Sequence, residues 1–217
     1  MMISPETFYE MNLKGKKADQ IMTVIRGLKQ EIGRLKNVVE HPDYVCLIKP
    51  SERTRISCSQ DYLERAKQAL VEVGGTYIPS AAEKKEIEFN ENIQYINKVE
   101  FCIGGYFGGY ETKTYTIDGN KVHTHTEHSL ILEPSNIGDF EIEEIDKDYL
   151  FEMLQRLHIG GWRKNYNTRR FGYMVCDGTQ WDLKIYFSNN HKPVKIYGDN
   201  AYPYNFNQLL ELFEVEK

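Results

Sequence analysis

Residues 111–128 read ETKTYTIDGNKVHTHTEH, and this stretch decides the fold. Two runs of alternating side chains flank Asp118-Gly119, a pair that accepts the positive φ angles of a tight hairpin. Thr112, Thr114 and Thr116 share one strand face, while Val122 lies in phase with the apolar residues of the returning strand. Upstream, Val99, Phe101 and Ile103 alternate in the same way and begin a sheet. Gly104-Gly105-Tyr106-Phe107-Gly108-Gly109-Tyr110 looks like a phosphate loop, but a strand rather than a helix follows it, so a bulged turn is the expectation. Downstream, Phe171 to Cys176, Trp181-x-Leu183-x-Ile185-x-Phe187 and Val194-x-Ile196 read as a three-stranded meander, with turns at Asp177-Gly178 and Asn189-Asn190.

The front of the chain follows a different period. Ser4-Pro5 opens a short helix. Ile21, Ile25, Leu28, Ile32, Leu35 and Val39 then alternate spacings of four and three, a heptad stripe that ends at His41-Pro42. Val24 and Val38 widen the stripe as a core-facing helix requires, and the same six residues are the candidate seam of a homodimer. A second helix is expected from Gln60 to Val73, stopping at Gly74-Gly75. The segment between the helices holds Arg53 and Arg55 and is too long for a helix-turn-helix turn. Farther on, Tyr149, Leu150, Met153, Leu154 and Leu157 face inward from a helix begun by Asp146. Asn205 caps a final helix carrying Phe206, Leu209, Leu210, Leu212 and Phe213.

The expected fold is therefore α+β: an N-terminal helical hairpin over residues 1–75, and an antiparallel meander sheet flanked by two helices over residues 76–217. Strands followed by a helix occur twice in the second region, which raises a duplicated unit. With 41% hydrophobic and 27% charged residues, the composition is that of a globular chain and excludes a disordered one. No apolar run marks a signal peptide or a membrane span, and the four cysteines form no C-x-x-C pair, so the cytoplasm is the expected compartment. Residues 1–75 hold 12 Lys/Arg against 10 Asp/Glu and residues 76–217 hold 15 against 22, a balance that disfavours a nucleic-acid binder.

Three surfaces are candidates for function. His123, His125 and Glu127 share a strand face, and two imidazoles with a carboxylate can bind zinc or iron; the plainer reading is an exposed polar row facing threonines. Asp139, Glu141, Glu143 and Glu144 form an acidic ridge suited to a basic groove on another protein. The loop Trp162-Arg163-Lys164-Asn165-Tyr166-Asn167-Thr168-Arg169-Arg170 sets cations beside aromatics, the chemistry that holds phosphates and stacks bases; the same cations can instead neutralise the acidic ridge. No cofactor is expected, nor any membrane contact, and neither region carries a catalytic signature.

The tail, Trp181-x-Leu183-x-Ile185-x-Phe187 followed by Tyr197-Gly198-Asp199-Asn200-Ala201-Tyr202-Pro203-Tyr204-Asn205-Phe206, resembles the ends of uncharacterised bacterial proteins often carried on mobile elements. The resemblance covers roughly the last third of the chain. It implies no activity and transfers no catalytic residue. With the acidic and aromatic surfaces, the expectation is a non-enzymatic protein-binding module, an accessory or inhibitor protein of a mobile element. A metal-dependent enzyme using the histidine row and a nucleic-acid binder using the loop are the alternatives.

Overall fold

The computed structural model describes residues 2–129, 144–172, 175 and 177–215. The chain divides into two compact units, Met1–Pro79 and Ser80–Lys217, and the fold is α+β.

The first unit contains helices α1 (Pro5–Asn12), α2 (Ala18–Val39) and α3 (Glu52–Glu72). The Ser4 hydroxyl accepts from the Thr7 amide at 3.1 Å and satisfies one of the orphan donors at the start of α1. The heptad stripe of α2 turns inward: Ile21, Ile25, Ile32, Leu35 and Val39 are buried, and Leu28 is half-buried. Facing them, α3 buries Ile56, Leu63, Ala66, Ala69 and Leu70. Each large side chain so buried stabilises by about 1.5–3 kcal/mol. Five of the six residues of the stripe are thus enclosed within the chain.

Helix α3 begins at Glu52 rather than Gln60, because the Ser51 hydroxyl accepts from the Thr54 amide at 3.2 Å and caps it there. Arg53 and Arg55 are consequently helical, and Arg55 reaches Glu31 of α2 at 2.7 Å. Phe8 stacks on Tyr62 with ring centres 4.4 Å apart, and the Tyr62 hydroxyl donates to the Ile3 carbonyl at 2.7 Å, which fastens α1 to α3.

The second unit opens with a helix that periodicity did not announce, α4 (Ala81–Asn92). Ser80 and Glu83 form a reciprocal capping box at its start. Next come β1 (Ile96–Gly105), β2 (Gly109–Asp118), β3 (Lys121–Ser129), β4 (Glu144–Asp146) and α5 (Lys147–Arg156). The chain continues through β5 (Asn165–Asn167), β6 (Gln180–Phe187), β7 (Val194–Asp199) and α6 (Phe206–Leu212). The strands form one sheet in the order β4-β3-β2-β1-β6-β7-β5. Every pairing is antiparallel except that of β5 with β7.

That parallel edge strand corrects the expected three-stranded meander. Thr168–Phe171 is a 3-10 turn, and of residues 171–176 Tyr173, Met174 and Cys176 lie outside the described residues. The hairpin of β6 and β7 stands as expected, joined to β5 rather than to a strand at Phe171. The two runs of strands thus differ in topology: an antiparallel meander precedes α5, whereas the run before α6 carries the parallel β5. Between β2 and β3 the loop is Gly119-Asn120, with glycine at φ +61°, the pattern of a type II′ turn. The glycine-rich segment is the β1–β2 hairpin, in which Gly105 pairs with Gly109.

Helices α4, α5 and α6 pack on one face of the sheet. Val99, Phe101, Tyr115, Leu183 and Ile185 meet Phe89 of α4, Leu150 and Leu154 of α5, and Leu209 of α6 in one core. Just past the end of α6, Phe213 stacks on Tyr115 at 4.7 Å and lies 5.0 Å from Phe101. The Tyr115 hydroxyl is satisfied there by donating to the Leu212 carbonyl at 2.9 Å. Gly160 is the seat of α4, since a Cβ at that position would collide with the backbone of Glu86. Tyr149 is exposed rather than inward-facing, and Asp146 caps α5 by accepting from its amide at 3.0 Å. Asn205 does not cap α6 with its side chain; buried, it donates to the Leu157 carbonyl at 2.9 Å, alongside the Trp162 indole, and ties the two helices together.

Candidate binding site on the open face of the sheet

Strand alternation sends every second side chain to the face opposite the core. Across β1 and β6 this places Lys98 beside Tyr186, Glu100 beside Lys184 and Cys102 beside Asp182. Across β2 and β3 it places Thr116, Thr114 and Thr112 beside His123, His125 and Glu127. The helices of this unit contribute to the core on the other side, so among the described residues of the unit no helix packs on this polar face.

The centre of the face is a charge network. Lys98 meets Glu100 at 2.5 Å, and the Tyr186 hydroxyl donates to the same carboxylate at 2.9 Å. Burial pushes the Glu100 carboxyl up, but these two hydrogen bonds and the neighbouring Lys184 outweigh it and hold the group below the ordinary carboxylate range. Lys184 bonds Asp182 at 2.7 Å, which raises its own pKa with help from Glu100. Burial pushes the Cys102 thiol up more than its bond with Thr112 lowers it. A thiol in that state is protonated near neutrality and is not an activated nucleophile.

Toward one end the face sinks into a cleft of about 390 Å³. Two cross-strand ranks build it: Cys102, Asp182, Tyr197 and Asn165 in one, and Gln180, Asp199 and Asn167 in the next. Tyr110 leans in from β2 and donates from its hydroxyl to Gln180 at 2.9 Å. Asn200 donates to Asp199 at 2.8 Å and accepts from the Thr179 amide at 2.9 Å, which fixes one carboxylate oxygen of Asp199. Beneath them Gly198 has no room for a Cβ, because the Trp181 indole lies against it and donates to the Ala201 carbonyl at 3.0 Å.

The residues singled out by the sequence are distributed differently. His125 and Glu127 pair with each other at 2.9 Å, and His123 is exposed on the same row. Among the described residues no group of three or more His, Cys, Asp or Glu is gathered closely enough to hold a metal ion. Asp139, Glu141 and Glu143 lie outside the described residues; Glu144 opens β4, where its backbone pairs opposite His123.

In the basic loop Arg163, Lys164, Arg169 and Arg170 are exposed, but the two aromatics belong to the interior. Tyr166 is buried in the core with its ring centre 5.8 Å from that of Trp181, and half-buried Trp162 packs edge-on to Trp181 at 6.4 Å. Tyr166 is thereby used in packing and Trp162 in part, so of the two aromatics only Trp162 keeps accessible surface for stacking a base. Cys102, Tyr110, Gln180, Asp182, Tyr197 and Asp199 had no place among the expected site residues. Alternation put them on the polar side of their strands, but only the strand order sets them side by side.

No protein-family model, curated protein or solved structure matches the chain. No described helix is long and apolar enough to cross a membrane.

Proposed function

We propose that the chain is a non-enzymatic binding protein that meets another protein through the open face of its sheet. Its tail suggests a setting, that of an accessory or inhibitor protein of a mobile element working in the cytoplasm. The observation that carries this reading is the polar face with its cleft, on which no described helix of the unit packs. Side chains on a paired sheet are held at regular spacing at little further entropic cost, which is what a preorganised recognition surface requires. The partner this surface suits is a basic one, since the charged residues lining the cleft are Asp182 and Asp199, and residues 76–217 as a whole hold 22 Asp/Glu against 15 Lys/Arg.

The test uses the full chain as bait in extract of its host, with wild type compared against Thr114→Arg and Gln180→Arg. Both positions lie on the open face and outside the core, so the variants are expected to keep the parental melting temperature. A basic protein enriched by the wild type at low salt, and lost from both variants, supports the reading. Enrichment that both variants retain, or no enrichment at all, refutes it.

A further inference from the structure

Resting on that reading, we propose that the cleft is a socket for an arginine side chain of the partner protein. Its lining combines two carboxylates, Asp182 and Asp199, with the amides of Asn165, Asn167 and Gln180 and the rings of Tyr110 and Tyr197. Among the described residues no lysine or arginine lines it; Lys184, outside the lining, bonds Asp182 at 2.7 Å, whereas Asp199 is bonded by the neutral Asn200 amide. Two carboxylates alone would be a solvated acidic pair. What makes a site of them is the cleft they line and the aromatic rings beside them.

Each part matches one part of an arginine. The guanidinium is a planar fork of donors that suits a carboxylate and its neighbouring amide oxygens. It also stacks on aromatic faces, and the Tyr197 ring is exposed, 42% accessible, beside Asp182 in the cross-strand register. The three-carbon stem needs apolar contact on the way in, which Tyr110 and Cys102 supply. Asp199 keeps one oxygen held by Asn200 and presents the other. Asp182 is bonded to Lys184, but Lys184 also lies in the field of Glu100, so its ammonium retains an anionic neighbour when an arginine engages Asp182. Phosphate and carboxylate ligands fit poorly, because among the described residues of the lining none carries a positive charge and two carry a negative one.

The experiment titrates N-acetyl-L-arginine amide into the full chain and follows backbone amide shifts by NMR. The comparison probe is N-acetyl-L-citrulline amide, which keeps the shape and loses the charge. Saturable shifts at Asn165–Asn167, Gln180–Asp182 and Tyr197–Asp199 are expected for the arginine probe, with the citrulline probe at least about tenfold weaker. Asp199→Asn, which preserves an acceptor for Asn200, and Tyr197→Ala should each weaken the arginine probe without shifting the melting temperature. The proposal is overturned if citrulline binds as well as arginine or if Asp199→Asn leaves the titration unchanged. It is overturned equally if no saturable shift appears by about 20 mM, above the millimolar range of one ion pair with one stack. Failure here with loss of the partner from Thr114→Arg and Gln180→Arg would remove the socket alone and leave the binding face standing.

Discussion

Alanine at Gly27 and Gly33 should stabilise the helical unit. Both glycines lie in the interior of α2 on its exposed side, and a Cβ built at either meets no atom within 4 Å. Alanine there adds nothing that clashes, while glycine in a helix interior costs about 1 kcal/mol through the freedom it holds in the unfolded chain. The two positions stand about 9 Å apart along the axis at 1.5 Å per residue, far enough for their effects to add to about 2 kcal/mol. For a unit of this size, unfolding by itself, that corresponds to a rise of roughly 8–16 °C in midpoint. In urea it corresponds to a midpoint shift of about 1 M. Circular dichroism at 222 nm reads both. The outer face of α2 would be a docking surface if either glycine were there to let another backbone approach closely, and alanine would then destabilise. A midpoint that stays put or falls in both single variants therefore refutes the reasoning, including the inward direction of the stripe.

Phe213→Ala should cost about 3–5 kcal/mol, because the ring is fully enclosed between Tyr115 and Phe101; an unchanged urea midpoint would contradict the placement of this side chain in the core. Glu100 supplies a pH dependence. Its folded pKa is lowered, so its contribution is complete above the ordinary carboxylate value of about 4.3 and is lost as pH falls through the folded value. Glu100→Gln should therefore lose less urea stability than wild type between neutral pH and about pH 3, and parallel losses would show that the Lys98–Tyr186 network does not favour the ionised form.

Local signals carried much of the fold. The turn at Gly119, the inward stripe of α2 and the buried face of α6 are set by residues a few positions apart, and a single sequence displays such spacings. Helix α4 escaped because only Phe89 on it is buried, so AAEKKEIEFNEN has no stripe to read even though Ser80 and Glu83 spell its capping box. The parallel strand β5, the seat of α4 at Gly160 and the reach of Asn205 to Leu157 each depend on a partner far along the chain.

The cleft belongs to that second kind, and the tail motif shows why a single sequence does not display it. Tyr197-Gly198-Asp199-Asn200-Ala201 has a packing explanation for every residue that points inward. Gly198 admits the Trp181 indole, Ala201 accepts its hydrogen bond, and Asn200 closes the turn onto Thr179. Packing says nothing of Tyr197 and Asp199, which leave the strand on the other side and meet Asp182, Gln180, Asn165 and Asn167 there. A strand motif read as a whole passes for structure because alternate residues account for it. Divided by face, it leaves Tyr197 and Asp199 with no part in the core, and these are the two residues on which the arginine titration turns.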